Sequence, residues 1–217
     1  MNPYDLSPYH LTLPVDKDGN FSGKAVQIES PQLVAGYQSR YFQQVNNAFV
    51  FLCPDGGAVT DTAHYARSEL RNETEWSYKD QVSDTPYNLT VVQLGEGQKV
   101  VVGQIHDQSE PWLKVEWTHR AKGGELRALV KIKDGAQDTV FSLLNGLKLG
   151  EIVSLKIQYY PSTWLGLKAA KLVLSVNGQQ TKISMHRAGK GGKAYFKRGC
   201  YYQSEDRKGN ICIVQHS

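Results

Sequence analysis

Seven short runs recur along the chain and leave it little choice of fold: "AFVFLCP", "YNLTVVQL", "KVVVGQIH", "LKVEWTHR", "LRALVKIK", "VSLKIQYY" and "KLVLSVNG". They are rich in β-branched and aromatic residues, several alternate apolar with polar positions, and turn residues separate them. No stretch shows sustained helical periodicity. Asn177-Gly178 in "VNGQQ" signals a two-residue hairpin turn, and "AKGGEL" at 121–126 predicts another hairpin. So many short strands predict an all-β fold, a jelly-roll sandwich of two antiparallel sheets, with one face of each sheet in the core. The other face of one sheet is then open for function. No internal repeat, low-complexity tract or linker divides the chain, so residues 1–217 are expected to form a single domain.

Charge narrows the partners. Twenty-five Lys and Arg against 21 Asp and Glu leave a net charge of +4, too small and too interspersed for a nucleic-acid binder, though a local basic cleft for a polyanion fits. The start "MNPYDLSPYHLTLPV" has no basic segment followed by an apolar run, and no window approaches the ~20 apolar residues of a membrane span. Neither a secretion signal nor a membrane partner is expected, and the chain is read as a monomer. Cys53, Cys200 and Cys212 cannot all pair within one chain and lack metal-site spacing, so buried free thiols are expected, with a Cys200–Cys212 bridge as the alternative. The basic, glycine-rich "HRAGKGGKA" at 186–194 reads as a loop beside the final strands.

Three short segments carry the candidate chemistry. In "RSELR" at 67–71, an extended backbone points Arg67, Glu69 and Arg71 one way and Ser68 and Leu70 toward the core. Two guanidiniums around a carboxylate make an anion-binding row, because the planar fork of Arg matches carboxylate oxygens and Glu69 can hold that fork in place. A solvated charged face is the plainer reading of the same letters. In "VVVGQIHDQ" at 100–108, Gln104 and His106 share one side and Ile105 the other, pairing an amide donor with the side chain best suited to proton abstraction near neutrality. In "YFKRGCYYQ" at 195–203, Tyr195, Lys197, Tyr201 and Gln203 share one parity, while Phe196, Cys200 and Tyr202 share the other. Tyrosines interleaved with a cation suit a sugar acid, whose ring offers an apolar face and whose carboxylate seeks charge.

"RSELR", "QIH" and "YFKRGCYYQ", in that order, resemble the three signature segments of the alginate lyases of polysaccharide lyase family seven, and "YHLTLP" at 9–14 resembles the family's start. Tyr9 stands where that family often has tryptophan, Asn72 where it often has an acid, and Arg198 where alanine is usual in "YFKAG". The resemblance implies a β-jelly roll whose motif strands line a concave groove. It also implies eliminative cleavage of a 1,4-linked uronate polymer, leaving 4,5-unsaturated ends, with no cofactor and no metal. Secretion or a periplasmic location would follow from the family. Arg71, Gln104, His106 and Tyr195 are then the catalytic set, and Arg67, Glu69, Lys197, Tyr201 and Gln203 are substrate contacts.

The chemistry explains why those types are needed. The proton at C5 of a uronate is a poor acid while the adjacent carboxylate is ionised, so Arg71 with Gln104, and His106 as a further candidate, must hydrogen-bond that carboxylate and stabilise the enolate-like charge. A base must take the proton and an acid must protonate the oxygen leaving C4. In mannuronate both lie on one side, so Tyr195 alone can serve, its pKa lowered by Lys197, Arg67 and Arg71; in guluronate they lie on opposite sides, so His106 serves as base and Tyr195 as acid. Ile105, giving "QIH" rather than "QVH", leans toward guluronate or mixed blocks by the resemblance. Two alternatives remain: a lyase for another polyuronide such as glucuronan, and a non-catalytic carbohydrate-binding module on the same scaffold. A glycosidase fits less well, since it needs paired carboxylates, and Glu116 and Glu205 have no evident partner in the sequence.

Overall fold

The computed structural model describes residues 5–217 apart from 62, 134, 165, 166, 187–191, 205 and 207, with side chains described outside 163–168. Most of the segment expected as a basic loop, and Glu205, therefore lie outside the described residues. In chain order the first strands are β1 (Tyr9–Thr12), β2 (Gln27–Ile28), β3 (Phe42–Val45), β4 (Ala48–Pro54), β5 (Arg67–Asn72), β6 (Trp76–Ser77), β7 (Val82–Ser83) and β8 (Tyr87–Gln93). The hairpin region follows with β9 (Lys99–Asp107), β10 (Pro111–Thr118), β11 (Gly124–Val130) and β12 (Thr139–Leu147). The remainder is β13 (Ile152–Trp164), β14 (Leu167–Val176), β15 (Gln179–Met185), β16 (Lys193–Tyr202) and β17 (Ile211–His216). One short helix among the described residues, α1 (Ser30–Val34), carries Pro31 in its first turn behind a capping box formed by Glu29 and Gln32.

Two antiparallel sheets result, in the expected jelly-roll sandwich. The first runs β12-β11-β10-β9-β16-β5-β1-β2, with β6 joined to β16; the second runs β15-β14-β13-β8-β17-β4-β3, with β7 joined to β13. The two last strands are thus central: β16 lies between β9 and β5, and β17 between β8 and β4. Both predicted hairpins form. Asn177 and Gly178 take φ of 49° and 81° between paired Val176 and Gln179, the backbone that a primed two-residue turn demands.

Alternation fills the interior. Leu70, Ile105 and Phe196 of the first sheet meet Tyr87, Leu155, Ile157 and Val214 of the second in one apolar core. Under one end of the first sheet, Trp76 packs on Phe196, Tyr159 and Trp112, with ring centroids 5.6, 4.9 and 5.5 Å away. Such buried aromatics contribute most per residue to burial and hold the strands above them rigid. Cys53, Cys200 and Cys212 are buried free thiols, so the alternative Cys200–Cys212 bridge is not present.

Strict alternation fails at one level. Arg198 of β16 pairs with Gly103 of β9, but Tyr201 already pairs with Val101, so β16 carries one extra residue there. β9 in turn bulges against β10 between Val115 and Glu116. Gly199 sits in this irregularity with φ of 146°, and a Cβ added to it would lie 2.5 Å from the Ser68 carbonyl oxygen. Only glycine fits. Just before it, Arg198 turns inward and is 3 % exposed, its guanidinium 4.8 Å from the Tyr9 ring centroid and 5.6 Å from that of Tyr87. Burial pushes the nearby Asp84 carboxyl up to about 6 against the attraction of Arg198.

Candidate active site

The open face of the first sheet forms a groove of about 700 Å³, and all nine residues singled out by the motifs line it. β5 supplies Arg67, Glu69 and Arg71; β9 supplies Gln104 and His106; β16 supplies Tyr195, Lys197 and Tyr201, with Gln203 just beyond its end. Register sets the neighbours: Arg71, Lys197 and Gln104 stand in one cross-strand row, and Tyr195 stands opposite His106.

The "RSELR" row is not a solvated charged face. Glu69 is 2 % exposed and Arg67 8 %. Arg67 Nη1 donates to Glu69 Oε2 at 3.0 Å, Gln104 Nε2 donates to Oε1, and Lys197 Nζ lies 3.6 Å from Oε2. Burial alone would raise the Glu69 carboxyl, but Lys197, Arg67 and the Gln104 hydrogen bond together hold it below the usual carboxylate range. Glu69 therefore works as an anionic hub that aims three groups. Arg71 has a different partner from the one its motif suggests: its Nη2 donates to Glu75 Oε1 at 2.7 Å.

Each arginine also lies over a tyrosine ring of β16. Arg71 sits 3.9 Å above the centroid of Tyr195, and Arg67 sits 3.9 Å above that of Tyr201. Despite these cations, burial raises the phenol pKa of both tyrosines. The expectation that Lys197, Arg67 and Arg71 lower the pKa of Tyr195 is overturned: Arg71 acts in that direction, but desolvation is larger. Tyr195 therefore keeps its phenol proton at neutral pH. Lys197 is itself drawn down to about 8, by burial first and by Arg67 and Arg71, against the pull of Glu69.

His106 is drawn down to about 4, by burial first and then by Lys197. Its Nδ1 is hydrogen-bonded to the Asp107 carbonyl, which fixes the proton on Nδ1 and leaves a lone pair on Nε2. The Tyr195 hydroxyl donates to the same carbonyl at 3.3 Å and lies 3.4 Å from His106 Nδ1, with the two rings stacked at 5.7 Å. The Asp107 side chain holds this corner, accepting from Ser109 N, Glu110 N and Trp112 Nε1 at 2.7, 2.7 and 2.8 Å.

The groove also holds residues the motifs did not single out. His10 and Thr12 of β1 and Gln27 of β2 line one side, Tyr65 stands beside Tyr201 with His64 next to it, and Lys114 lines the β10 side. The signal for His10 was present, since Tyr9, Leu11 and Leu13 alternate with His10 and Thr12. His10 Nδ1 approaches Glu73 Oε1 at 3.3 Å, while Lys114 Nζ pairs with Asp138 Oδ2 at 2.7 Å. Glu116, without evident partner in the sequence, accepts from Arg127 Nε and Nη2 at 2.8 and 2.6 Å. Among the described residues no cluster of His, Cys, Asp and Glu has the arrangement of a metal site.

A two-sheet jelly roll whose groove sets guanidinium, amide, imidazole and phenol groups in adjoining rows has the makings of an enzyme that works on acidic sugar chains by proton transfer, a polysaccharide lyase. Comparison with known proteins gives the particular family: residues 4–216 match the alginate lyase family, and the chain belongs to it. An alginate lyase of Klebsiella pneumoniae is 24 % identical, the match covering 94 % of this chain and 84 % of that protein. Among solved structures, alginate lyase A1-II', a member of polysaccharide lyase family 7, superposes with a TM-score of 0.79 at 26 % identity, covering 98 % of this chain and 93 % of that one. An alginate lyase of Pseudomonas aeruginosa gives 0.78 at 25 % identity, covering 99 % of both chains. A variant of A1-II' in complex with a product, GGG, gives 0.79 at 25 % identity, with 98 % and 93 % covered.

Proposed function

We propose that this chain cleaves alginate by β-elimination, acting on guluronate-containing blocks with His106 as base and Tyr195 as acid. The observation that carries this reading is the division of labour between two adjoining groups. His106 presents an unprotonated Nε2, and Tyr195 retains its proton because burial raises its pKa. Groups whose pKa values are pushed apart in one site are suited to opposite proton-transfer roles. A single tyrosine acting as both base and acid would need a depressed phenol pKa, which burial opposes.

Arg71 and the second N–H of Gln104 hold the uronate carboxylate, with Lys197 adding positive charge beside it. As Nε2 of His106 takes the C5 proton, the C5–H electron pair becomes the C4–C5 double bond. The C4–O bond then breaks with its pair on oxygen, which takes the Tyr195 proton. Transfer of a proton from His106 through solvent back to Tyr195 restores the site. Arg67, Tyr201 and Gln203 would bind the neighbouring sugars. The complex of the A1-II' variant with its product GGG supports an oligosaccharide lying in such a groove.

The test is absorbance of the conjugated unsaturated uronate over time, with polyguluronate, polymannuronate and glucuronan supplied separately. The expected result is the fastest rise on polyguluronate. A faster rise on glucuronan would transfer the same chemistry to another polyuronide, and a faster rise on polymannuronate would remove the two-residue scheme.

A further inference from the structure

The sheet that does not carry the groove has an outer face without acid. Among its eight strands, β3, β4, β7, β8, β13, β14, β15 and β17, there is no Asp or Glu. Alternation turns Leu155, Ile157 and Tyr159 of β13, Leu172 and Leu174 of β14, and Ile183 and Met185 of β15 into the core. Lys156, Gln158 and Tyr160 of β13, Lys171 of β14 and Lys182 of β15 therefore face outward.

Register brings these residues together. Lys171 pairs directly with Tyr160; Val173, two residues on, lies between Gln158 and Lys182; and Lys156 pairs with Ser175. With strands ~4.8 Å apart and ~3.4 Å per residue, the three lysines occupy a patch roughly 10–15 Å across. Gln158 Nε2 donates to the Tyr160 hydroxyl at 2.8 Å, fixing the half-buried phenol beside Lys171. None of Lys156, Lys171 and Lys182 forms an ion pair among the described residues. In the groove region, by contrast, Lys114, Lys131 and Lys197 each lie against a carboxylate.

We propose that this outer face is a second, non-catalytic binding surface for the polyuronate chain, with Lys156, Lys171 and Lys182 taking its carboxylates and Tyr160 packing against a sugar ring. The occupant follows from charge complementarity. Unpaired ammoniums on a flat, acid-free face attract a polyanion and release its counterions, and Tyr, Lys and Gln together repeat the side-chain types that line the groove. Identifying the polyanion as polyuronate rests on the function proposed above. A polymer held at two places on one molecule gains effective concentration at the groove, whereas a short oligomer does not.

The experiment compares the chain with its K156Q/K171Q/K182Q variant in two measurements. In gels containing polyuronate, both carry Tyr195→Phe so that the polymer stays intact. In kinetic assays, both retain Tyr195. The expected result is about three- to tenfold weaker retardation and a matching rise in KM for polymer, with kcat/KM on trimers unchanged and thermal stability retained. The corresponding lysine-to-arginine variant should restore retardation. Equal retardation and equal polymer KM for the chain and its glutamine variant would overturn the inference while leaving the lyase reading intact. Loss of binding to anionic lipid vesicles with no change on polymer would also overturn it, assigning the face to membranes. No absorbance rise on any polyuronate would instead sink the functional reading on which it rests.

Discussion

On the groove face the cations are tied down, with Arg67 and Lys197 against Glu69, Arg71 against Glu75, and Lys114 against Asp138. On the outer face of the other sheet Lys156, Lys171 and Lys182 stand across from Ser175, Tyr160 and Val173 and form no ion pair among the described residues. A buried ion pair costs desolvation and adds little net stability, so the groove's pairs are explained by aim rather than by folding energy. The elimination proposed above needs donors fixed in direction, and Glu69 contacts Arg67, Lys197 and Gln104 at once. Holding a polymer loosely needs only a field. The same lysine side chain thus serves two purposes according to whether an acid stands beside it.

The comparison breaks most sharply at Tyr195. Tyr195→Phe should lower kcat by about 10²–10⁴-fold while polymer binding in a gel changes little, since only the proton donor is lost. Glu69→Gln should cost about 3–5 kcal/mol in urea unfolding, because Arg67 and Lys197 lose the charge opposite them in a buried site. Gly199→Ala follows, at roughly 2–4 kcal/mol, because its Cβ meets the Ser68 carbonyl. At the other end of the scale, Lys182→Gln on the outer face should stay within about 0.5 kcal/mol of the parent.

A pH profile sharpens the same contrast. His106 must be unprotonated to act as base, so kcat/KM should rise with pH through about 4; Lys197 must be protonated to attract the carboxylate, so it should fall through about 8. Lys197→Met should erase the alkaline limb. It should also move the acid limb upward, because Lys197 is one of the groups holding His106 down. Lys171→Gln should leave both limbs in place.

The two faces differed in how far they could be read from the sequence. The "NG" hairpin and the parity of "RSELR" and "QIH" carried over directly to the structure, since both depend on local backbone alone. The slip at Gly199 did not, because "VVV" at 100–102 is apolar at every position and shows no parity that a bulge could interrupt. Parity alone puts Arg198 on the face opposite Tyr195, but its seat against Tyr9 of the same sheet and Tyr87 of the opposite one depends on distant strands coming together. The Glu116–Arg127 pair needed the β10–β11 register, and the phenol pKa of Tyr195 needed its burial. Pairings between distant segments and the degree of desolvation arise only once the sheets close.

The central placement of β16 and β17 has a kinetic consequence. β13, β14 and β15 are joined by neighbouring hairpins and can pair as soon as they are made, but the groove draws on residues 67–71, 104–106 and 195–203, which meet only when the last strands insert. Until then β5, β9, β4 and β8 each present an unpaired edge, a template for wrong partners. Refolding should accordingly be slow and sensitive to protein concentration, and recovery of activity should lag behind recovery of β-sheet signal. Catalytic competence in this fold is gained late, when β16 and β17 are seated between strands already made.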